Sequence, residues 1–339
     1  MTFRRWQISG AVCALIIIIS TVAAGACSQT ALSSFSKTRA LMDTFITVTV
    51  YAPDKDSAEA AFDAAFERMS QVEQSASIFN QTAEAYQLNA EGFIDRASYD
   101  LKNLVELSIE YGELTGGYFD ITVQPVLELW ESGLWKETPQ VQQERVSEVM
   151  KLVGYDKIII SGDSISLQPG MKITLGGIAK GYAAGEALLA LENLGIKHAV
   201  VNAGGDSATL GKKPDGSSWS ASLINPDDST EWIASFSLEG DSIATSGNYE
   251  RYFDPTKKVS HLLNPLTGYS ESDCISVTII TRQAELADAL ATAVFGMGPD
   301  QGLSFINGLD DVECMIIDNN RQIHRSSGLN KYEVQGANA

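Results

Sequence analysis

Asp288 and Thr292 stand four residues apart in Ala284-Glu-Leu-Ala-Asp-Ala-Leu-Ala-Thr-Ala-Val-Phe295, a run of helical periodicity. That spacing puts a carboxylate and a hydroxyl on one helix face, beside Ala284, Ala291 and Phe295 rather than on a charged stripe. Burying such groups among alanines costs free energy unless a partner satisfies them. Two partners suit the pair. A hard cation such as Mg2+ takes oxygen donors and bridges to phosphates. Alternatively, Asp288 caps a neighbouring turn while Thr292 bonds back to its own helix.

A second constellation is Leu175-Gly-Gly-Ile-Ala-Lys-Gly-Tyr182, with paired glycines ahead of a helix. Such a turn presents backbone N–H groups at a helix N-terminus, where an anion is stabilised, and Lys180 adds a point charge suited to phosphate. The same residues also read as a tight strand–helix turn with a solvated lysine. The pattern is neither G-x-G-x-x-G nor a Walker sequence, so neither of those phosphate sites is present. Asn202-Ala-Gly-Gly-Asp206 and Thr245-Ser-Gly-Asn248 repeat the device of small residues that admit a ligand close to backbone. His261, one of three histidines, opens His261-Leu-Leu-Asn-Pro-Leu-Thr-Gly268 and serves either a strand end or a proton transfer.

The elements that must position these residues follow from periodicity. Alternation of β-branched and aromatic residues predicts a strand over 45–51, and a helix over 57–74 turns Phe62, Ala65, Phe66, Met69 and Val72 inward. Further helices are predicted over 99–111, 140–152, 179–194, 284–296 and 299–307. Strands are predicted over 157–160, 164–167, 172–175, 199–202, 276–281 and 312–317, with strands and hairpins between 219 and 263. Hairpins and helices alternate without a βαβ rhythm. The expected fold is therefore α+β, one large domain over 39–332 with mixed or antiparallel sheets packed with helices, and a tail at 333–339.

Composition limits the partners. The 339 residues are 44% hydrophobic, enough for a sizeable core. The net charge is −19 with no run of Lys or Arg, which excludes nucleic acid as a partner and leaves any phosphate to a local device. Three His and four Cys argue against a zinc cluster.

Residues 1–26 read as a signal peptide: Arg4 and Arg5 precede an apolar run of about 16 residues, short of the roughly 20 that span a bilayer. The run ends in Ala24-Gly25-Ala26-Cys27, which resembles a bacterial lipobox and implies acylation at Cys27; an ordinary signal peptide with an incidental cysteine is the alternative. Residues 27–38 are then a lipid-anchored tether. The protein is expected on a membrane, facing the periplasm or the cell exterior. Export makes Cys274 and Cys314, each in a strand-like run, candidates for a disulfide or for two buried thiols.

Taken in order, Met42-Asp-Thr44, Thr115-Gly-Gly-Tyr-Phe-Asp-Ile-Thr122, the Leu175, Asn202, Thr245 and His261 motifs and Ala287-Asp-Ala-Leu-Ala-Thr292 resemble the FAD:protein FMN transferase (ApbE-like) family. The resemblance runs over roughly 41–317, and members of that family are commonly exported lipoproteins. It implies Mg2+-dependent transfer of the FMN half of FAD to a Thr or Ser hydroxyl of an exported redox protein, with release of AMP. It implies Asp288 and Thr292 as metal ligands, with the Gly177 carbonyl as a third. It also implies Met42, Phe79, Tyr118, Phe119, Asp120, Thr174, Lys180, Thr245, Ser246, Gly247, His261 and Leu262 as contacts of the flavin dinucleotide, His261 acting on the incoming hydroxyl. Two residues depart from the family pattern. Thr174 stands where Asp is frequent and carries no charge, and Phe79 stands where Tyr is common, able to stack on a flavin but without a hydroxyl. Two alternatives accompany this expectation: an Mg2+-dependent FAD pyrophosphatase giving FMN and AMP, and a lipid-anchored flavin-binding protein without turnover.

Overall fold

A computed structural model describes residues 31–249, 251–254, 256, 259–270 and 273–334. The expected signal peptide and Cys27 lie outside the described residues, as does most of the expected tail.

The described chain opens on a hairpin, β1 (Ser33–Leu41) and β2 (Thr44–Ala52). Next come α1 (Lys55–Ala76), α2 (Glu84–Glu91), β3 (Phe93–Ile94), α3 (Tyr99–Leu114), α4 (Gln124–Glu131) and α5 (Pro139–Val149). Two short strands, β4 (Ile159–Ser161) and β5 (Ser164–Ser166), precede α6 (Ala179–Asn193). The chain continues as β6 (Ala199–Ala203), β7 (Asp206–Leu210), β8 (Trp219–Asn225), β9 (Asp228–Leu238), β10 (Ser242–Gly247), β11 (Leu263–Asn264), β12 (Tyr269–Ser270) and β13 (Cys274–Thr281). It closes with α7 (Ala284–Met297), α8 (Pro299–Ile306), β14 (Glu313–Asp318) and β15 (Ile323–Arg325).

Eight strands in the order β1-β2-β6-β7-β10-β13-β14-β15 form one sheet, antiparallel at every described pairing. Side-chain alternation divides its two faces between different partners. Ile46, Val48, Val50 and Val201 pack against Phe66, Met69, Leu104 and Ala183 of α1, α3 and α6. On the same side, Ala244, Val277 and Ile279 meet Ala287, Leu290 and Ala291 of α7. On the other side, Ile243, Ile280 and Met315 meet Trp219, Phe236 and Leu238 of the β8–β9 hairpin. The α+β expectation holds, and the sheet resolves to the antiparallel alternative.

Three expectations change. The tether expected over 27–38 gives way at Ser33 to β1, whose Ser36 and Thr38 hydroxyls meet Thr49 and Thr47 at 2.9 and 2.8 Å. Lys37 and Arg39 of the same strand lie over the Phe62 and Phe66 rings. Cross-strand hydroxyl pairs stabilise a polar strand that composition alone reads as linker. Residues 172–175 belong to no strand; the Asn89 amide bonds both the N–H and the C=O of Ile173, at 2.7 and 2.8 Å. Finally, Cys274 pairs with Asp318 and Cys314 with Ile279. The two cysteines thus sit four ladder steps apart, about 13 Å at the rise of a strand, and remain buried thiols.

Candidate active site

The site grows from the crossing of α6 and α7. A Cβ on Gly181 would stand 2.2 Å from the Ala284 carbonyl oxygen, so glycine is required for the two helices to approach this closely. Closeness has a consequence. The Gly181 N–H, in the first turn of α6, donates to Asp288 Oδ2 at 3.0 Å, while the residue before that helix offers no side-chain cap of its own. Asp288 is 4% exposed and stands at the positive end of the α6 dipole. The capping alternative is thus realised for Asp288, yet the same residue lines a cavity.

One turn further along α7, Thr292 lines that cavity too, its Oγ1 3.4 Å from Ser246 Oγ. A Cβ on Gly177 would lie 2.9 Å from Thr292 Oγ1, so the Gly177 backbone lies against this hydroxyl. Lys180 lines the cavity from the start of α6 and is not a solvated lysine: it pairs with the buried Asp206. Thr174 Oγ1 accepts the Gly176 N–H at 3.3 Å, so the uncharged replacement steadies the glycine turn.

His261 lines the same cavity from the segment just before β11. Its main-chain N–H and its ring Nδ1 both contact the Arg251 carbonyl oxygen at 3.1 Å. A carbonyl only accepts, so Nδ1 carries the proton in the neutral ring and Nε2 is the basic nitrogen. Burial, aided by the charges of Arg251 and Lys180, pushes the imidazole below its ordinary 6.5 despite the opposing hydrogen bond. At neutral pH the ring is therefore a base. Asp120 accepts the Thr122 N–H and hydroxyl at 2.8 and 2.6 Å and the Tyr155 N–H at 2.9 Å, tying two loops beneath the cavity. Burial raises its carboxyl above the usual range in spite of those bonds. Tyr118 donates to Gln301 at 3.0 Å, and Phe79 stands at the mouth, 68% exposed.

The structure gathers nearly the whole expected set. Phe79, Tyr118, Phe119, Asp120, Thr174, Gly177, Lys180, Thr245, Ser246, Gly247, His261, Leu262, Asp288 and Thr292 line one cavity of about 270 Å3. Met42 is outside that lining. It sits in the β1–β2 turn at φ 54°, its N–H bonded to Glu73 at 2.9 Å and its side chain packed on the main core. Sequence reasoning missed the apolar wall of Ile78, Ile121, Val123 and Leu127, and the Glu131–Arg251 ion pair at 2.6 Å on the rim. Only the nearness of Arg251 to the Thr245 turn hinted at it; the apolar residues look like any core positions.

Asp288, Thr292 and the Gly177 backbone offer hard oxygen donors at one corner of the cavity. Among the described residues no three His, Cys, Asp or Glu cluster as a metal cage. Mg2+ is commonly held by one or two carboxylates together with ligand phosphates, so this donor set fits a cation shared between protein and phosphate.

Aromatic rings lining the same cavity as an ammonium and oxygen donors suit a ligand with a planar ring system and phosphates. The ApbE family model matches residues 42–316, and the chain belongs to that family. It is 32% identical over 216 residues to the FAD:protein FMN transferase of Klebsiella pneumoniae (strain 342), covering 62% of this chain and 66% of that one. The match thus takes in just under two thirds of the Klebsiella protein. The FAD:protein FMN transferase of Treponema pallidum (strain Nichols) is 26% identical over 351 residues, covering 96% and 94% of the two chains. Among solved structures, the ApbE protein of Thermotoga maritima MSB8 superposes with a TM-score of 0.80 at 26% identity, over 89% of this chain and 100% of that one. The apo flavinyl transferase ApbE of Pseudomonas stutzeri, at 24% identity, shares the fold with a TM-score of 0.75 over 89% and 96%.

Proposed function

We propose that this protein transfers the FMN half of FAD to a Thr or Ser hydroxyl of an acceptor protein and releases AMP, with Mg2+ as the metal. The observation that carries this reading is the convergence on one cavity of Lys180, His261, Asp288 and Thr292, from segments far apart in sequence. The names of the relatives support it.

Phosphoryl-type transfer needs positioning and charge neutralisation more than covalent help. Mg2+, held by Asp288, Thr292 and the Gly177 backbone, supplies charge neutralisation at the diphosphate when bound. Lys180 sets an ammonium on the same wall, and Phe79 offers a ring face to the isoalloxazine. Nε2 of His261 takes the proton of the acceptor hydroxyl as its oxygen bonds to the flavin-side phosphorus. The bond from that phosphorus to the bridging oxygen breaks, and AMP leaves with the bridging oxygen.

The N-terminal sequence supports export, acylation at Cys27 and a membrane location outside the cytoplasm, where the acceptors are exported redox proteins. Mass spectrometry of the mature N-terminus tests this part; an unmodified terminus in a soluble fraction removes it. Incubation with FAD, Mg2+ and an acceptor tests the chemistry. Covalent flavin on the acceptor is the expected outcome. Free FMN and AMP at the same rate with and without acceptor make the protein a pyrophosphatase, and intact FAD makes it a binding protein.

A further inference from the structure

The Asn202-Ala-Gly-Gly-Asp206 motif supplies no group to the proposed transfer itself. Ala203 and Asp206 face each other across the two-glycine turn that joins β6 to β7. The Asp206 side chain is 5% exposed and does not line the cavity, yet it grips two of the cavity's walls. Its Oδ2 pairs with Lys180 Nζ, and its Oδ1 accepts the Thr245 N–H at 3.1 Å. The second bond falls where the sheet opens. The β7–β10 ladder ends at the pair Ile243 and Ser207, and the Asp206 carboxylate is the next acceptor β10 meets. Beyond it, Thr245, Ser246 and Gly247 run along the cavity, and Ser246 reaches Thr292.

We propose that Asp206 is a positioning residue for the diphosphate, holding the Lys180 ammonium at the cavity wall and tying it to the β10 wall. A lysine head rides on a flexible four-carbon stem, and a charge-assisted bond to a buried carboxylate restricts where it stands. This role rests on the flavin reaction proposed above. An ammonium placed against the diphosphate interacts with ground state and transition state alike. Misplacing it therefore raises KM and leaves kcat nearly unchanged.

Asp206→Asn separates charge from structure, because the amide oxygen can still accept the Thr245 N–H. With purified full-length protein, FAD, Mg2+ and acceptor, Asp206→Asn should raise KM for FAD about tenfold with kcat within about twofold. Lys180→Met should raise KM at least as far. Adding Asp206→Asn to Lys180→Met should change KM by less than about twofold, since no ammonium is left to position. An unchanged KM in Asp206→Asn, effects that multiply in the double variant, or a fall in kcat together with Tm would each overturn the role. The underlying reading fails separately. If the wild-type protein does not bind FAD by flavin fluorescence, the flavin site falls and this role with it. If wild type binds and Asp206→Asn behaves identically, only the role of Asp206 falls.

Discussion

Helix α6 carries two charge clusters, six residues or about 9 Å apart along its axis, and they are built to opposite plans. At Glu186 the Arg68 guanidinium reaches across from α1 and bonds Glu186 at 2.9 Å and Asp100 of α3 at 2.6 Å. The Tyr182 hydroxyl donates to Asp100 at 3.0 Å, and the Asn103 amide donates to Tyr182 at 3.3 Å. Burial pushes the Asp100 carboxyl up, but Arg68 and Tyr182 outweigh it and hold the group below its ordinary range. This cluster pins three helices together. At the N-terminal end of α6, Lys180 and Asp206 also form an ion pair, but beside a cavity shared with Asp288, Thr292 and His261. A buried cluster that closes on itself fixes structure, whereas one that borders a cavity is placed for a ligand.

The largest effect expected from this distinction is at the open end. Asp288→Asn keeps an oxygen for the Gly181 N–H and removes the negative charge. Its kcat/KM should fall by about a thousandfold or more, the scale of losing metal-assisted charge stabilisation, with Tm close to that of wild type. Retained activity, or a collapse of Tm, breaks the comparison, because Asp288 would then be a cap and nothing else.

His261→Ala sharpens the same end. General-base assistance contributes about a hundredfold to ten-thousandfold, so transfer should drop by that order while FAD still binds. The pH profile carries the assignment. Since the folded-state pKa lies below 6.5, the base is already neutral at pH 7. The wild-type rate should climb through a midpoint below 6.5 and then stay level. The variant's residual rate should lack that step; a variant that keeps it gives the proton to another acceptor.

At the closed end the outcome inverts. Arg68→Met strands two carboxylates, which should cost about 3 kcal/mol of stability, read by denaturant unfolding. KM for FAD, measured per folded molecule, should not move. The Asp100 share of the lost stability has a definite pH dependence. Its carboxyl is depressed on folding, so that share is present above the unfolded pKa near 4 and disappears as pH falls through the folded one. A change in KM would show that the closed cluster also shapes the cavity.

Which of these features the sequence revealed depends on range. Asp288, Thr292, Lys180 and His261, which line one cavity, were legible as candidates because the chemistry expected of them needs particular residue types inside short motifs, and the α7 period put the first two on one face. The clusters on α6 were not, since Arg68 lies 32 residues from Asp100 and 118 from Glu186. No local pattern marks such pairs. Residues 172–175 alternate like a strand, but Asn89, from α2, takes up the Ile173 backbone bonds. In β1, serines and threonines that suggest a linker are instead matched by threonines across the ladder. Ile78, Ile121 and Leu127 reach the cavity from three segments, each with only ordinary core character.

Ser276 tests the rule at its weakest point and carries the smallest expected effect. Among the described residues its Oγ is the buried side-chain oxygen with no hydrogen-bond partner. It stands in β13 opposite Gly247 of β10 and shares a face with Thr278, whose hydroxyl meets Thr245 Oγ1 at 2.9 Å. That face looks toward the β8–β9 hairpin, not toward α7, and Ser276 does not line the cavity. An unpaired buried hydroxyl away from any ligand is only a cost, so Ser276→Ala should raise stability by about 1 kcal/mol and leave KM for FAD and the transfer rate unchanged. Calorimetry and steady-state kinetics on the same sample decide the matter. A loss of stability would mean that the hydroxyl is satisfied by a buried water the fold depends on. A change in KM would mean that the cavity's influence crosses the sheet, and that bordering the cavity is too narrow a criterion for a functional polar group in this fold.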